Sequence, residues 1–480
     1  MVVRKRALVY SWSIVLSFLV FLPTRSLYAQ ATAIEGGYLF DGIADDVVPN
    51  PGILIQNGKF LEVGFQNGNH RSLVVDTIKL TGNDYIIPGM FDLHAHYAMD
   101  LFGEGRVDER VGYPILFLAN GVTSTFPGGE VDPVEMKELR MSIEQGRSIG
   151  ARIFSAGPYF GSWRQGWKSN VTEEAIFQEV DYWVSQGVRA FKAKGINAGN
   201  LQALIRRAHT YGATVTGHLG SGYRGSVNPR DAIMMGIDRV EHFLGGDAFT
   251  SDKSAYESLV EIDIESEDFD SIVDLYLRKK VFFDATLSAY GYYGRRDPEV
   301  YDYFENEIKY FTPYMQGILE ARPAREVNEQ FEEIYWKKRE TIKAFYEAGG
   351  AHLITLGTDH PSWGEFLSPF SVHRELLSFV LSGIPESDVI KFATINGAKA
   401  IHAGDYLGSI ESGKIADLVI LSGNPLEDIR NIRNAHMVMK NGLMYDPQEL
   451  LRSAEGKIGP NGPKEEGAWK PLLSIHKDHS

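Results

Sequence analysis

Six side chains in this sequence have the chemistry of metal ligands or of groups that complete a metal site. They are His94 and His96 in "GMFDLHAH", Lys192 in "VRAFKAKG", His218 in "ATVTGHLG", His242 in "DRVEHF" and Asp359 in "LITLGTD". Imidazole nitrogens and carboxylate oxygens hold divalent ions through their lone pairs, whereas a short pair such as His94-Ala95-His96 recurs by chance and carries little weight alone. The chain has no cysteine, which removes disulfides, thiolate nucleophiles and Cys-ligated zinc, so a metal here must be held by histidine and carboxylate. Lys192 is the odd member, because an ammonium has no lone pair and repels a cation. Carboxylated by CO2 it becomes a carbamate, an anionic two-oxygen ligand able to bridge two ions. Lys194 has the same strand parity as Lys192, so alternation alone does not choose between them.

What must position these residues is a set of eight apolar runs: "IIPGMFDLHAH", "GVTSTF", "ARIFSAG", "VRAFKAKG", "ATVTGHLG", "DRVEHF", "KVFFDATLSAY" and "AHLITLGTD". Between them lie amphipathic stretches such as "EEAIFQEVDYWVSQG" and "NLQALIRRAHTYG", each closed by a glycine that suits a helix stop. Eight strand–helix repeats predict an α/β fold of the (β/α)8 TIM barrel type, with its active site at the C-terminal strand ends. His94 and His96 end the first run, Lys192 lies near the end of the fourth, and His218, His242 and Asp359 end the fifth, sixth and eighth. All candidates therefore fall at one end of the barrel. Residues i and i+2 of a strand face the same side about 6.6 Å apart, so His94 and His96 can converge on one ion.

Short alternating strands in "AIEGGYLFDG", "GILIQNGKFLEVG" and "VVDTIKLTG" recur near the other end in "ADLVILSG" and "NAHMVMKNGLMYD", which predicts a small β-sandwich built from both termini. The expected division is a signal peptide at 1–29, β-sandwich at 30–85, barrel at 86–402, β-sandwich again at 403–447 and a loosely ordered tail at 448–480. The segment 297–343, rich in Tyr, Phe and Glu, is longer than an ordinary connection and is expected to be helical, a lid or side wall over the site.

The N-terminus follows the order of an export signal: basic "MVVRKR", then sixteen apolar residues, then small residues with cleavage after Ala29 or Ala31. The alternative is an uncleaved anchor, for which the run is short of the roughly 20 residues a spanning helix needs. Export predicts a periplasmic or secreted protein that meets membrane only through this segment. The net charge is −15, and removal of the signal takes away Arg4, Lys5, Arg6 and Arg25 with no acid. An acidic chain without clustered basic and aromatic residues excludes nucleic acid as a partner. Homo-oligomerisation is left open.

The motifs "GGYLFDG", "IIPGMFDLHAH", "GVTSTF", "FKAKG", "VTGHL", "VEH", "LGTDH" and "TINGAKAIHAGDYLGSIESGKIADLVILSGNPLED" cover nearly the whole chain after the signal. In these the sequence resembles the amidohydrolase superfamily, and more closely its branch of imidazolonepropionase-like and Xaa-Pro dipeptidase-like (prolidase) metal hydrolases. The resemblance implies a binuclear centre, with His94, His96 and Asp359 on the more buried ion and His218 and His242 on the other. It selects Lys192 over Lys194 as the bridging N6-carboxylysine. Imidazole and carboxylate suit two Zn2+ ions, with Mn2+, Fe2+ or Co2+ as alternatives. Two such ions depress the pKa of bound water from 15.7 to around 7, and Asp359 is then the catalytic base that takes its proton and returns it to the leaving group. The sequence departs from that branch in "FPGG" after the second run and in the long segment after the seventh.

Aromatic residues and arginines fill the segments that follow the strands. Tyr159, Trp163, Tyr223, Tyr290, Tyr292 and Trp363 are candidates to enclose an apolar group, and Arg164, Arg224, Arg295 or Arg296 to hold a carboxylate. His360 and Glu241 are candidate orienters of the ligands. His209, His373 and His402 lie in helix-like stretches and read as structural. The expected enzyme is a metal-dependent amidohydrolase acting on small amides such as dipeptides or N-acyl amino acids. A cyclic-amide or imidazolone hydrolase, a deaminase and a lactonase are the alternatives, with a non-catalytic binding protein last. Deaminases of the superfamily usually place a Glu soon after the fifth-strand histidine, and "HLGSGYRG" has none.

Overall fold

The computed structural model describes residues 31–65, 73–168, 170–295, 297–301, 307–323, 326–360 and 366–471; the signal-like segment, Arg296 and Trp363 lie outside them. Eight strands, one in each predicted apolar run, form its centre: β1 (Met90–Ala95), β2 (Val122–Pro127), β3 (Arg152–Ile153), β4 (Ala190–Lys194), β5 (Thr214–His218), β6 (Arg239–Glu241), β7 (Phe282–Asp284) and β8 (Ile354–Thr355). They are parallel and lie in two sheets, β1 to β3 in one and β4 to β8 in the other. Backbone hydrogen bonds join the sheets at both edges. Leu93 beside His94 donates to Leu356 (2.9 Å), and Phe160 beyond β3 donates to Lys192 in β4 (2.9 Å).

The intervening helices follow the sequence pattern. Glu173–Ser185 starts with its Thr172 hydroxyl accepting from Ala175 N–H, and buries Ile176, Val180 and Trp183 at helical spacing. Ala198–His209 is capped by Asn197 and buries Leu201, Leu204, Ile205 and Ala208. Gly187 and Gly212 follow these helices at positive φ, as a C-terminal stop requires.

The chain ends build two further sheets. A four-stranded sheet takes Ala31–Glu35, Ile53–Gln56, Lys59–Val63 and Val74–Lys79. A six-stranded sheet sets Asp84–Pro88 antiparallel to Leu418–Ser422, with Ala435–Lys440 and Leu443–Tyr445 beyond. Ile34, Ile53, Phe60, Ile86, Leu418 and Ile420 from the two sheets share one apolar core.

Two details differ from the expectation, and a third selects between its alternatives. The run "YIIPGMFDLHAH" is two strands, because Asp84–Pro88 belongs to the six-stranded sheet and β1 begins after Gly89. A Cβ at Gly89 would overlap the Thr123 side chain, so glycine is what allows the chain to cross between sheets there. The long segment after β7 is a wall rather than a lid: helix Glu329–Glu347 buries Ile334, Tyr335, Lys338, Ile342 and Phe345. The C-terminal segment is folded through residue 471. Its helix Pro447–Ala454 packs on Tyr113–Ala119, Ile458 accepts from Thr312 N–H (2.9 Å), and Lys470 pairs with Glu104 (2.9 Å).

Asp417, in the turn "SGKIADLVIL", joins the terminal sheets to the central strands. Its carboxylate accepts from Arg152 Nη1 of β3 (2.7 Å) and from Asn441 N–H (2.7 Å), and its backbone carbonyl accepts from Gly89 N–H. Asp417 is 4% exposed and Arg152 16%, so removing one partner leaves a largely desolvated charge. Asp417→Ala is expected to destabilise the protein by about 3 kcal/mol, read as a lower urea midpoint at an unchanged slope; a midpoint within error of the parent would remove this pair from the joint.

Candidate metal centre

Strand alternation brings the donors together from different strands. On β1, Asp92 and His94 share a face, with His96 next in the alternation; on β4 it is Lys192 and Lys194, on β5 Thr216 and His218, and on β6 Arg239 and Glu241. His242 breaks the alternation. It follows β6 and takes φ 71°, so that Glu241 and His242, though consecutive, both reach the cluster. Asp359 lies four residues beyond β8 at φ 44°, its N–H bonded to the His94 carbonyl (3.0 Å). Non-glycine residues in this region cost about 1–3 kcal/mol each and persist where the surroundings fix them.

All six predicted residues converge. Asp359 Oδ1 lies 2.6 Å from His96 Nε2 and 3.2 Å from His94 Nε2, and Lys192 Nζ lies 3.3 Å from His94 Nε2. Ring centres are 5.1 Å apart for His94 and His242 and 4.3 Å for His218 and His242. The ligand atoms of His94, His96 and Asp359 lie within 4.8 Å of one another, as do those of His94, Glu241 and His242, so either group could hold a metal ion.

Ring nitrogens without a partner among the described residues support that use. His94 Nδ1, His96 Nδ1, His218 Nδ1 and His242 Nε2 are buried without a hydrogen-bond partner, a costly arrangement unless something else meets them. For His242 the tautomer follows from its neighbours. Thr286 Oγ1 donates its proton to the Ala285 carbonyl and therefore accepts from His242 Nδ1–H (2.7 Å), which leaves the Nε2 lone pair unshared. Burial pushes the pKa of His96 down to about 4 and holds those of His218 and His242 well below the usual value, so these imidazoles are neutral, the ligating form. Burial acts to raise Asp359, but its electrostatic interactions with His94 and His242 and hydrogen bonds from the His94 and His96 rings hold it well below the carboxylate range.

Beneath the cluster is a buried charge network that the sequence reading touched only at Glu241. Glu241 contacts Lys192 Nζ, accepts from Thr216 Oγ1 (3.0 Å) and lies 3.7 Å from His94 Nδ1. Arg239 donates to Asp284 (3.1 Å) and to the Leu93 carbonyl (2.9 Å), and Asp92 accepts from Thr358 and from His94 N–H. From the long helix, Lys338 donates to the His242 carbonyl (2.7 Å), while Glu375 accepts from Leu287 and Ser288 N–H (2.7 Å each). Burial pulls Lys338 down to about 7 and pushes Glu375 up to about 8.

Above the cluster opens a cavity of about 800 Å3, into which only His218 and Asp359 of the six project; Arg106, Trp163, Lys194, Tyr256, Tyr290 and Phe331 are among its other lining residues. An adjoining cavity of about 760 Å3 shares Trp163, Lys194 and Tyr256 and adds Tyr223 and Arg224. Of the predicted substrate contacts, Trp163, Tyr290, Tyr223 and Arg224 thus line open space. Tyr159 does not: it is buried against Gly129. Tyr292 is buried against His360 and Phe366, and His360 beneath it has both ring nitrogens unpartnered. Arg295 is 71% exposed beside Glu332, and Arg164 pairs with Glu179, so neither faces the cluster. His209, His373 and His402 bond to Asp238, Asn120 and the Gly212 carbonyl, in keeping with structural roles. Arg106, Tyr256 and Phe331 escaped the sequence reading because they come from segments distant from the strand ends.

A family model for the amidohydrolase family matches residues 85–444. Among curated proteins, a 5-methylthioadenosine/S-adenosylhomocysteine deaminase of Thermoanaerobacter pseudethanolicus is 39% identical over 74 residues, 14% of this chain and 17% of that protein. The chain thus matches less than a fifth of that relative's length. Among solved structures, a Xaa-Pro dipeptidase with methionine bound in its active site is similar with TM-score 0.64 at 23% identity, covering 87% of this chain and 100% of that one. Molinate hydrolase is similar with TM-score 0.65 at 20% identity, covering 91% and 99%.

The unusual "FPGG" has its explanation in this geometry. A Cβ on Gly128 would overlap the His94 ring and lie 3.1 Å from His96 Cε1, and one on Gly129 would overlap the Tyr159 ring. Gly128→Ala should displace His94 and weaken binding of a divalent ion by about 10- to 100-fold with far-UV circular dichroism unchanged. Titration calorimetry with Zn2+ checks this, and unchanged affinity would show that the His94 ring has room to yield.

Proposed function

The chain belongs to the amidohydrolase family, hydrolases of carbon–nitrogen bonds, and from that premise we propose that it cleaves amide bonds of small substrates, dipeptides or N-acyl amino acids, at the cluster around Asp359. The observation that carries the reading is the convergence of four imidazoles, each with a buried ring nitrogen lacking a hydrogen-bond partner among the described residues, with a lysine and Asp359 at one open cavity. The two parallel sheets are read as one (β/α)8 barrel and the terminal sheets as its β-sandwich. The N-terminal segment is read as an export signal.

Two divalent ions, Zn2+ by the imidazole-rich donor set, suit these residues: His94, His96 and Asp359 for one, His218 and His242 for the other, and Lys192 between them as N6-carboxylysine. When bound they would polarise the scissile carbonyl and lower the pKa of water from 15.7 to around 7. Carboxylation would change which neighbour Glu241 serves. As an ammonium Lys192 engages Glu241; as a carbamate it leaves Glu241 to His94 Nδ1, 3.7 Å away, where a carboxylate orients the ring.

Asp359 is the cluster's carboxylate that faces the cavity. Held ionised by the imidazoles, it takes the proton of the attacking water and passes it to the leaving nitrogen. His218 lines the cavity beside it, while Tyr256, Tyr290 and Phe331 exclude water and enclose an apolar group. The likeness to a dipeptidase holding methionine agrees with an amino-acid substrate. The local likeness to a deaminase favours hydrolytic deamination as the second reading; the lack of a carboxylate in "HLGSGYRG" after His218 weighs against it.

Two variants test the reading. Lys192→Ala should lose bound metal and nearly all turnover of a dipeptide and N-acyl amino acid panel, with partial rescue by a short-chain carboxylic acid; a fully active variant would dismiss the bridge. Asp359→Asn should keep much of its metal by plasma mass spectrometry yet lose about 100- to 10,000-fold in kcat, since an amide takes no proton; near-normal kcat would remove Asp359 from the role of base.

A further inference from the structure

The wall of the cavity carries two basic side chains that the fold leaves without an ion-pair partner among the described residues. Arg106 and Lys194 both line the space above the cluster, and Lys194 Nζ lies 3.7 Å from the centre of the Trp163 ring. Among the described residues neither forms an ion pair or a side-chain hydrogen bond. The other cations near the cluster are engaged: Lys192 with Glu241, Arg239 with Asp284, Lys338 with the His242 carbonyl and Arg164 with Glu179. The carboxylates lining the cavity are engaged as well. Glu257 accepts from Ser254 N–H and hydroxyl (2.9 and 2.7 Å), and Asp359 from His94 and His96. An anion entering this space therefore meets two basic side chains that have no ion-pair or hydrogen-bond partner of their own among the described residues, in a partly desolvated, aromatic-lined setting where a charge-assisted contact is strongest.

We propose that Lys194 and Arg106 recognise a carboxylate that stands immediately beside the scissile amide, the α-carboxylate of a C-terminal residue or of an N-acyl amino acid. This rests on amide hydrolysis at the cluster and names the group that selects its substrate. The spacing argues for adjacency. Lys194 follows Lys192 by two positions on the same face of β4, about 6.6 Å along the strand, and a peptide residue spans about 3.8 Å between Cα atoms. A carboxylate one residue from a carbonyl held over Lys192 is thus within reach of the Lys194 ammonium, whereas a group many bonds away would pass it. Trp163 supports the ammonium from one ring face, which limits the side-chain entropy lost on binding.

The test compares wild type, Lys194→Met, Lys194→Arg and Arg106→Met with N-acetyl-L-methionine and its N-methylamide, following acetate release. L-Methionine and L-methioninamide are titrated calorimetrically into the same proteins, and metal content is measured throughout. Wild type is expected to prefer the acid over the amide by about 10- to 100-fold in kcat/KM and in affinity. That preference should collapse in Lys194→Met, narrow in Arg106→Met and return in Lys194→Arg at constant metal content. Equal treatment of acid and amide by wild type, or a preference that survives Lys194→Met, would overturn the assignment. Hydrolysis of both compounds without preference would leave the proposed function standing. A calorimetric preference that depends on Lys194 without any hydrolysis would uphold the anion site and count against amide hydrolysis.

Discussion

The structure depends on keeping a dense set of ionisable groups out of water without leaving any buried charge alone. His94, His96, Lys192 and His242 are almost fully buried, with Asp92, Arg239, Glu241 and Asp284 beneath them. A single unpaired ion at that depth would cost several kcal/mol. The chain meets the constraint in two ways: burial keeps His96 and His242 neutral, and charged groups pair with the opposite sign, Lys192 as an ammonium against Glu241 and Arg239 against Asp284. The pairing follows from strand geometry, since Arg239 and Glu241 share a face of β6 as Lys192 and Lys194 share one of β4. The same pairing that makes the interior tolerable aims the donors at one point.

Regular strands supply only part of that aim. Two consecutive residues of a strand point to opposite faces, so Glu241 and His242 both reach the cluster only because the chain turns at positive φ after β6. Asp359 and Thr286 take the same backbone region. Each is held by a neighbour: His242 by Lys338 at its carbonyl and Thr286 at its ring, Asp359 by the His94 carbonyl. The long helix thereby helps position the site, because it delivers Lys338 to the His242 carbonyl.

This distribution explains what was legible in the sequence. The eight strand positions and all six cluster residues were readable because strand ends are marked by apolar runs and their donors by residue type. Asp92 and Arg239 could have been read by the same rule, each two positions before a recognised donor or orienter, yet an acid or an arginine inside an apolar run has no distinctive signature. Lys338 and Glu375 had none, since their roles arise from packing between elements far apart in sequence. The split at Gly89 was hidden because apolar content continues across it while the strand changes sheet. The loop arginines misled for a related reason: position after a strand places a residue near the cavity, but Arg164 and Arg295 turn to Glu179 and Glu332 instead.

Reaction and selection are therefore carried by different parts of the chain. The donors come from strand ends, where the backbone is fixed by neighbouring strands. The cavity above takes Arg106 from the segment before Tyr113, Tyr256 from the segment after β6 and Phe331 from the long helix. These lie outside the central strands and are held by other contacts, among them the short pair of Val107–Asp108 with Ala98–Met99 beside Arg106. Pro471 packs on Gly105, Lys470 pairs with Glu104, and Arg322 donates to the Leu101 carbonyl, so the far C-terminus steadies the stretch that bears Arg106. The Tyr290 and Phe331 rings stack with centres 5.5 Å apart, which ties the long helix to the end of β7. Arg106, Tyr256 and Phe331 thus shape what the cavity admits, whereas Lys194 on β4 and Lys338 on the long helix tie the cavity wall to the charges beneath it.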